Sequence, residues 1–138
     1  MQAANELCVR NAQWHIAVHV ATNLSELQLF LGDIRAAIAS SQLSLSYANR
    51  IGNNIPDKLF LSGMVYDTYA NVLYQAGENA LADSLFIEAE KFQRMQHPKS
   101  PQLFSRPGFY YCDFLLAQNR TREVMRRARY ALNISLNP

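Results

Sequence analysis

The sequence predicts an all-α chain of stacked helical hairpins, and three observations carry that expectation. Apolar residues recur at three- and four-residue steps through long segments, and no segment of useful length alternates with period two. Gly and Pro number only five each and fall mostly between those segments. Three polar turns, Leu31-Gly32-Asp33, Ala76-Gly77-Glu78 and Gln118-Asn119-Arg120, align at spacings of 45 and 42 residues. A fixed period in this range marks hairpins that bury their apolar faces only against their neighbours.

The elements follow in order. Trp14, Ala17, Ala21, Leu24 and Leu31 make the first helical face, ended by Gly32-Asp33. Residues 2–10 carry no first-helix pattern and read as the tail of a preceding repeat, with a break near Asn11. Ile34, Ala37, Ile38, Ser41, Leu45 and Ala48 form the second stripe, closing at Gly52-Asn53-Asn54. Pro56 opens the third helix, which carries Leu59, Tyr66, Tyr69, Ala70 and Leu73 and stops at Gly77. The fourth carries Leu81, Leu85, Phe86, Ala89 and Phe92 and ends before His97-Pro98-Lys99-Ser100-Pro101. The fifth starts near Ser105, read as its N-cap with Pro107 in the first turn, and runs to Gln118. The sixth, from Arg120 to Ile134, turns Val124, Ala128, Ala131 and Leu132 inward. The expected organisation is one domain over 1–138, with repeats at 13–54, 55–98 and 102–136. Residues 1–12 are the tail of an earlier unit, as in a piece of a longer array.

Composition narrows the function classes. Of 138 residues, 49% are hydrophobic and 17% charged, enough apolar surface for a packed core. A net charge of +2 is too small for a whole-domain nucleic-acid binder. Two cysteines make no disulfide framework and suit a reducing compartment, here the cytoplasm. No apolar run reaches a membrane span, so no membrane partner is expected.

Here the residues resemble a known family. "Tyr-x-x-Tyr-Ala…Leu-Tyr-x-x-Gly-Glu…Ala-x-x-x-Phe-x-x-Ala", from Tyr66 to Ala89, looks like a tetratricopeptide repeat. Ala82, Phe86 and Ala89 stand where that family places small, aromatic and small residues on its second helix, so that two helices approach closely. The outer units match more loosely, keeping Gly32 with Ala37 and Leu115 with Ala128 and Ala131. The period exceeds the family's usual ~34 residues. The strings Asn23–Asp33 and Pro107–Gln118 are similar to segments of tetratricopeptide arrays in large bacterial proteins, which often follow a signalling NTPase of the STAND/NACHT type. The resemblance covers about residues 14–134. It implies an α-solenoid of about three antiparallel hairpins, a non-catalytic scaffold or sensor that binds a protein or peptide on its concave face.

In that family the first helix of each hairpin lines the groove. Carried over, this gives His19, Glu26 and Leu29; then Met64, Asp67, Asn71 and Tyr74; then Arg106, Phe109, Asp113 and Leu116. The basic clamp of co-chaperone members is missing, since Asp67 and Asp113 stand in the groove. A second candidate surface is basic: Arg122, Arg126 and Arg129 share a helix face within a cluster that also holds Arg120 and Arg127. It suits an acidic protein better than nucleic acid, because only Tyr130 offers a stacking ring.

No enzyme or cofactor motif stands out. Glycines are scattered and form no phosphate loop, Cys112 sits in an apolar mid-helix setting, and Glu88 and Glu90 project about 200° apart on a helix. Cys8, His15 and His19 would share one face of an unbroken helix, an alternative metal- or small-molecule-binding reading, although no fourth ligand is near and no metal is assigned. A purely structural spacer is the other alternative. Uncapped apolar ends make self-association an expectation of the repeat reading.

Overall fold

The computed structural model describes residues 2–52 and 57–137, with the side chains of residues 2, 4, 5, 7, 8 and 11 outside that description. Six helices make up the described chain: α1 (Gln2–Phe30), α2 (Ile34–Asn49), α3 (Lys58–Gln75), α4 (Asn79–Gln96), α5 (Ser105–Ala117) and α6 (Thr121–Leu136). No strand occurs among the described residues. The helices pair as α1/α2, α3/α4 and α5/α6, and α3 also lies against α1, α2 and α5.

One turn design joins each pair. Gly32, Gly77 and Asn119 have φ of 82°, 85° and 59°. At each, the left-handed residue donates its N–H to the carbonyl three residues back, and the next residue donates to the one five back: Gly77 to Tyr74 and Glu78 to Leu73, both near 3 Å. This satisfies carbonyls that the helix end would otherwise leave unpaired. The following residue then begins the next helix, Asp33 capping Ala36 N–H through Oδ1 at 3.1 Å. The aligned turns read from the sequence are thus structurally equivalent.

Several expectations change. Residues 2–10 are the start of α1, which continues through Asn11 to Phe30. No Gly or Pro interrupts that stretch, and one Asn costs only tenths of a kcal/mol in a helix. Asn53, Asn54 and Pro56 lie outside the described residues, and Asp57 is the N-cap of α3. Ser105 is the first residue of α5, held at φ 58°, and Phe104 is its cap. On α6, Val124 is half-buried, whereas Ala128, Ala131 and Leu132 are exposed; Arg127 is the buried residue of that helix.

Three helix interfaces hold together by different chemistry. Between α3, α4 and α5 the interior is aromatic: Phe86 lies 4.8 Å from the Tyr111 ring and 5.5 Å from Phe114, with Ala70, Leu73, Ala82 and Leu115 around them. Ala82, Phe86 and Ala89 are completely buried on the inner side of α4. Between α2 and α3, Ala48, Ile51, Leu61 and Val65 meet Val18 of α1. The α1/α2 interior is instead a ladder of hydroxyls. Thr22 pairs with Ser44 and Ser25 with Ser41, both at 2.7 Å, and Ser25 donates to the Ala37 carbonyl at 2.8 Å. Every buried side-chain N or O among the described residues has a partner.

Candidate functional site

The first helices of the three pairs meet on one side of the molecule. Glu26 of α1 reaches over α3 to Arg106 of α5, with Nη1 donating to Oε2 at 2.8 Å. Thr68 of α3 sits between them, its hydroxyl 3.4 Å from Glu26 Oε1 and 3.3 Å from Asp67 Oδ1. The Arg106 guanidinium also stands 5.9 Å from the Tyr110 ring centre. Pro107 and Gly108 follow directly, and a Cβ at 108 would fall 2.6 Å from the Leu103 carbonyl oxygen. The close approach of the Leu103–Phe104 strap to α5 therefore needs glycine there.

Asp67 is the chemical centre of this face. Burial pushes its pKa up to about 8; Arg106 and the Thr68 hydroxyl pull it down, and Glu26 adds to the rise. A cavity of about 320 Å³ opens beside it, lined by Met64, Asp67, Gln93, His97 and Leu103 with Arg106 at its rim. A shallower hollow of about 470 Å³ lies where Asn23, Glu26, Leu29 and Phe30 approach Tyr110.

The residues expected in the groove divide into two groups. Asp67 and Asn71 are buried, 3% and 9% exposed, and so belong to the helix interfaces rather than to a contact surface. The physical reason is that α3 is surrounded by α1, α2, α4 and α5, leaving it little free face. Met64, Tyr74, His19, Glu26 and Leu29 are half-buried. Tyr74 is held against Phe114 edge-on at 5.5 Å, and burial together with the nearby Asp113 carboxylate raises its pKa. Arg106, Phe109, Asp113 and Leu116 are exposed, with Phe109 at 69% and Leu116 at 49%. The free part of the face is therefore concentrated on α5.

The arginine cluster also separates. Arg120 bridges Asp83 of α4 and Glu123, and Arg127 pairs with both Glu90 and Glu123. Burial opposes the charge on Glu123, but hydrogen bonds from Arg127 and Arg120 outweigh it and lower its pKa. Arg122, Arg126 and Arg129 remain exposed and line an open depression of about 580 Å³ with Met125, Tyr130 and Asn133. Arg126 makes only a long 3.9 Å contact to Glu123.

No family model, curated protein or solved structure matches this chain.

At the other end of α3, the His15 and His19 rings lie 5.0 Å apart, tilted by 48°, with His15 Nε2 3.7 Å from Asp57. Burial and the neighbouring His15 lower the pKa of His19. Among the described residues, no group of three His, Cys, Asp or Glu side chains is arranged to hold a metal; the Cys8 side chain lies outside them. Cys112 is a half-buried free thiol whose pKa is raised by burial. No described helix is long and apolar enough to cross a membrane. Two features lay beyond sequence reasoning, the hydroxyl ladder of α1/α2 and the Glu90–Arg127 pair. The first had a signal in the serines at 40, 41 and 44; the second joins residues 37 positions apart and had none.

Proposed function

We propose that this chain is a tetratricopeptide-like α-solenoid of three hairpins, a non-catalytic module that binds a protein or peptide along the face shared by α1, α3 and α5. One observation carries the reading: the first helix of every hairpin comes to the same side, tied by Glu26 to Arg106 across α3. Beside that tie the face presents Phe109 and Leu116, large and exposed, with Asp113 between them. A helix face with apolar anchors and a flanking charge suits a peptide chain better than a small metabolite. Fixed backbone geometry at the three turns keeps this face rigid, so binding loses little entropy to ordering the protein. The exposed carboxylate of Asp113 favours a ligand with a basic residue near its apolar anchor.

The test is selection of binders from a random peptide library on the immobilised protein. Selected peptides should lose at least about tenfold in affinity, roughly 1.4 kcal/mol, towards a Phe109→Ser/Asp113→Lys/Leu116→Ser variant. These positions are exposed, so the variant keeps its helical circular dichroism. Peptides that bind wild type and variant equally would overturn the reading.

A further inference from the structure

The internal repeat explains a feature that the binding face leaves unused, the apolar stripe along the outer side of α1. Superposing Gly32, Gly77 and Asn119, the three structurally equivalent turns, puts Ile16, Val20, Leu24 and Leu27 of α1 in register with Leu61, Val65, Tyr69 and Val72 of α3. On α3, Leu61 and Val65 are buried with Ala48 and Ile51, next to Leu45 of α2, and the Tyr69 hydroxyl accepts from Gln42 of α2 at 3.3 Å. On α5 the same register positions include Tyr111, which stacks on Phe86 of α4, and Phe114, which meets the same ring at a tilt. So in two of three hairpins this stripe is the surface that docks on the second helix of the hairpin before. On α1 it keeps its apolar character but is open: Ile16 is 63%, Val20 60%, Leu24 43% and Leu27 53% exposed.

The complementary surface is present on the same molecule. In the same register, Leu132 of α6 corresponds to Leu45 of α2 and Glu90 of α4, Ala128 to Ser41 and Phe86, and Met125 to Ile38 and Asp83, so α6 is apolar at all three positions where each earlier second helix is apolar at only one or two. Ala128 is exposed, as are Met125 at 49% and Leu132 at 58%. Arg129 takes the place of Gln42, where its aliphatic stem can lie along Leu24 with the guanidinium in water. The α1 stripe matches one half of an interface the chain already builds twice, and α6 presents exposed apolar residues at the positions of Leu45 and Phe86, which supply the other half, so continuity with that interface identifies the occupant.

We propose that a second copy of this chain docks head-to-tail, its α1 stripe of Ile16, Val20, Leu24 and Leu27 seated on Met125, Ala128 and Leu132 of α6. The contact is heterologous, so each added copy presents a fresh α6 face and the assembly grows with concentration. It extends the α1–α3–α5 face from one copy to the next and does not depend on what that face binds.

Sedimentation velocity on the whole chain tests this with two variants, Val20→Glu and Leu132→Glu, both at exposed positions and both checked for native circular dichroism. Wild type should show a mass that rises with concentration, while each variant alone stays a monomer. Mixed, the two variants should form a dimer of twice the monomer mass that grows no further, because each supplies the face the other lacks. A monomeric wild type at the highest soluble concentration would overturn the proposal. So would a Leu132→Glu variant that still dimerises, the mark of a symmetric α1–α1 contact, or a mixture that stays monomeric.

Discussion

Glu90 of α4 and Arg127 of α6 form an ion pair in which each side chain is only 10% exposed. Arg127 donates to both Glu90 oxygens, the Nη2 bond measuring 3.1 Å, and its guanidinium lies 4.5 Å from the centre of the Tyr111 ring. The same carboxylate accepts the Leu103 N–H at 3.1 Å, so one acid joins α4, α6 and the strap before α5. Burial opposes the charge on Arg127, but Glu90 and Glu123 outweigh it and raise its pKa. Removing one partner strands the other in a site with little water. Arg127→Leu should therefore destabilise the fold by about 3–5 kcal/mol, and adding Glu90→Leu should recover much of that loss. Urea denaturation of the two variants checks it; a double variant no better than the single would contradict the coupling.

Gly77 tests the turn. A Cβ there meets no atom within 4 Å, so substitution acts through backbone conformation alone at φ 85°. Gly77→Ala should cost about 1–2 kcal/mol and Gly77→Val more, since a β-branched residue tolerates positive φ least. Asn119→Gly at the third turn should be neutral or mildly stabilising. Thermal melts of the three variants decide it, and an unchanged Gly77→Val melt would contradict the assignment.

The hydroxyl ladder predicts a non-additive pair. Ser25→Ala leaves the buried Ser41 hydroxyl without its 2.7 Å partner and should cost about 1–3 kcal/mol. Ser25→Ala/Ser41→Ala removes both hydroxyls, and its cost should fall below the sum of the two single changes. A double-mutant cycle in urea measures the coupling.

Asp67 predicts the pH dependence. Its folded-state pKa of about 8 lies above the ordinary carboxyl value of 3.8, so the folded chain keeps a proton that the unfolded chain releases. That contribution to stability is complete below about pH 4 and is lost progressively as pH rises to about 8. Asp67→Asn removes the titration while keeping the shape. It should raise the melting temperature above that of wild type by more than about 3 °C at pH 8.5, and by little near pH 4. Equal shifts at both pH values would contradict a buried, protonated Asp67.

Much of the fold was legible because its signals are local. Helix periodicity, the left-handed turn residues at 32, 77 and 119, and the Ala82-Phe86-Ala89 spacing all act within a few residues of one another. The unbroken α1 departs from the expected break because Asn11 is a far weaker stop signal than Gly or Pro. The site was less legible because it depends on long-range packing. Asp67 and Asn71 have the right position on a first helix, yet α3 is the central helix and its neighbours cover them. The inward face of α6 differs from its sequence pattern for the same reason: Arg127 goes inside because Glu90 is there to meet it, a fact held by no stretch of sequence around either residue.

The most direct test of the proposed binding face is an amide NMR titration with a peptide selected on the wild-type chain. Shifts should concentrate at Glu26, Arg106, Phe109, Asp113 and Leu116. Shifts confined to Arg122, Arg126 and Arg129 on α6, with the α1–α3–α5 face unmoved, would contradict it.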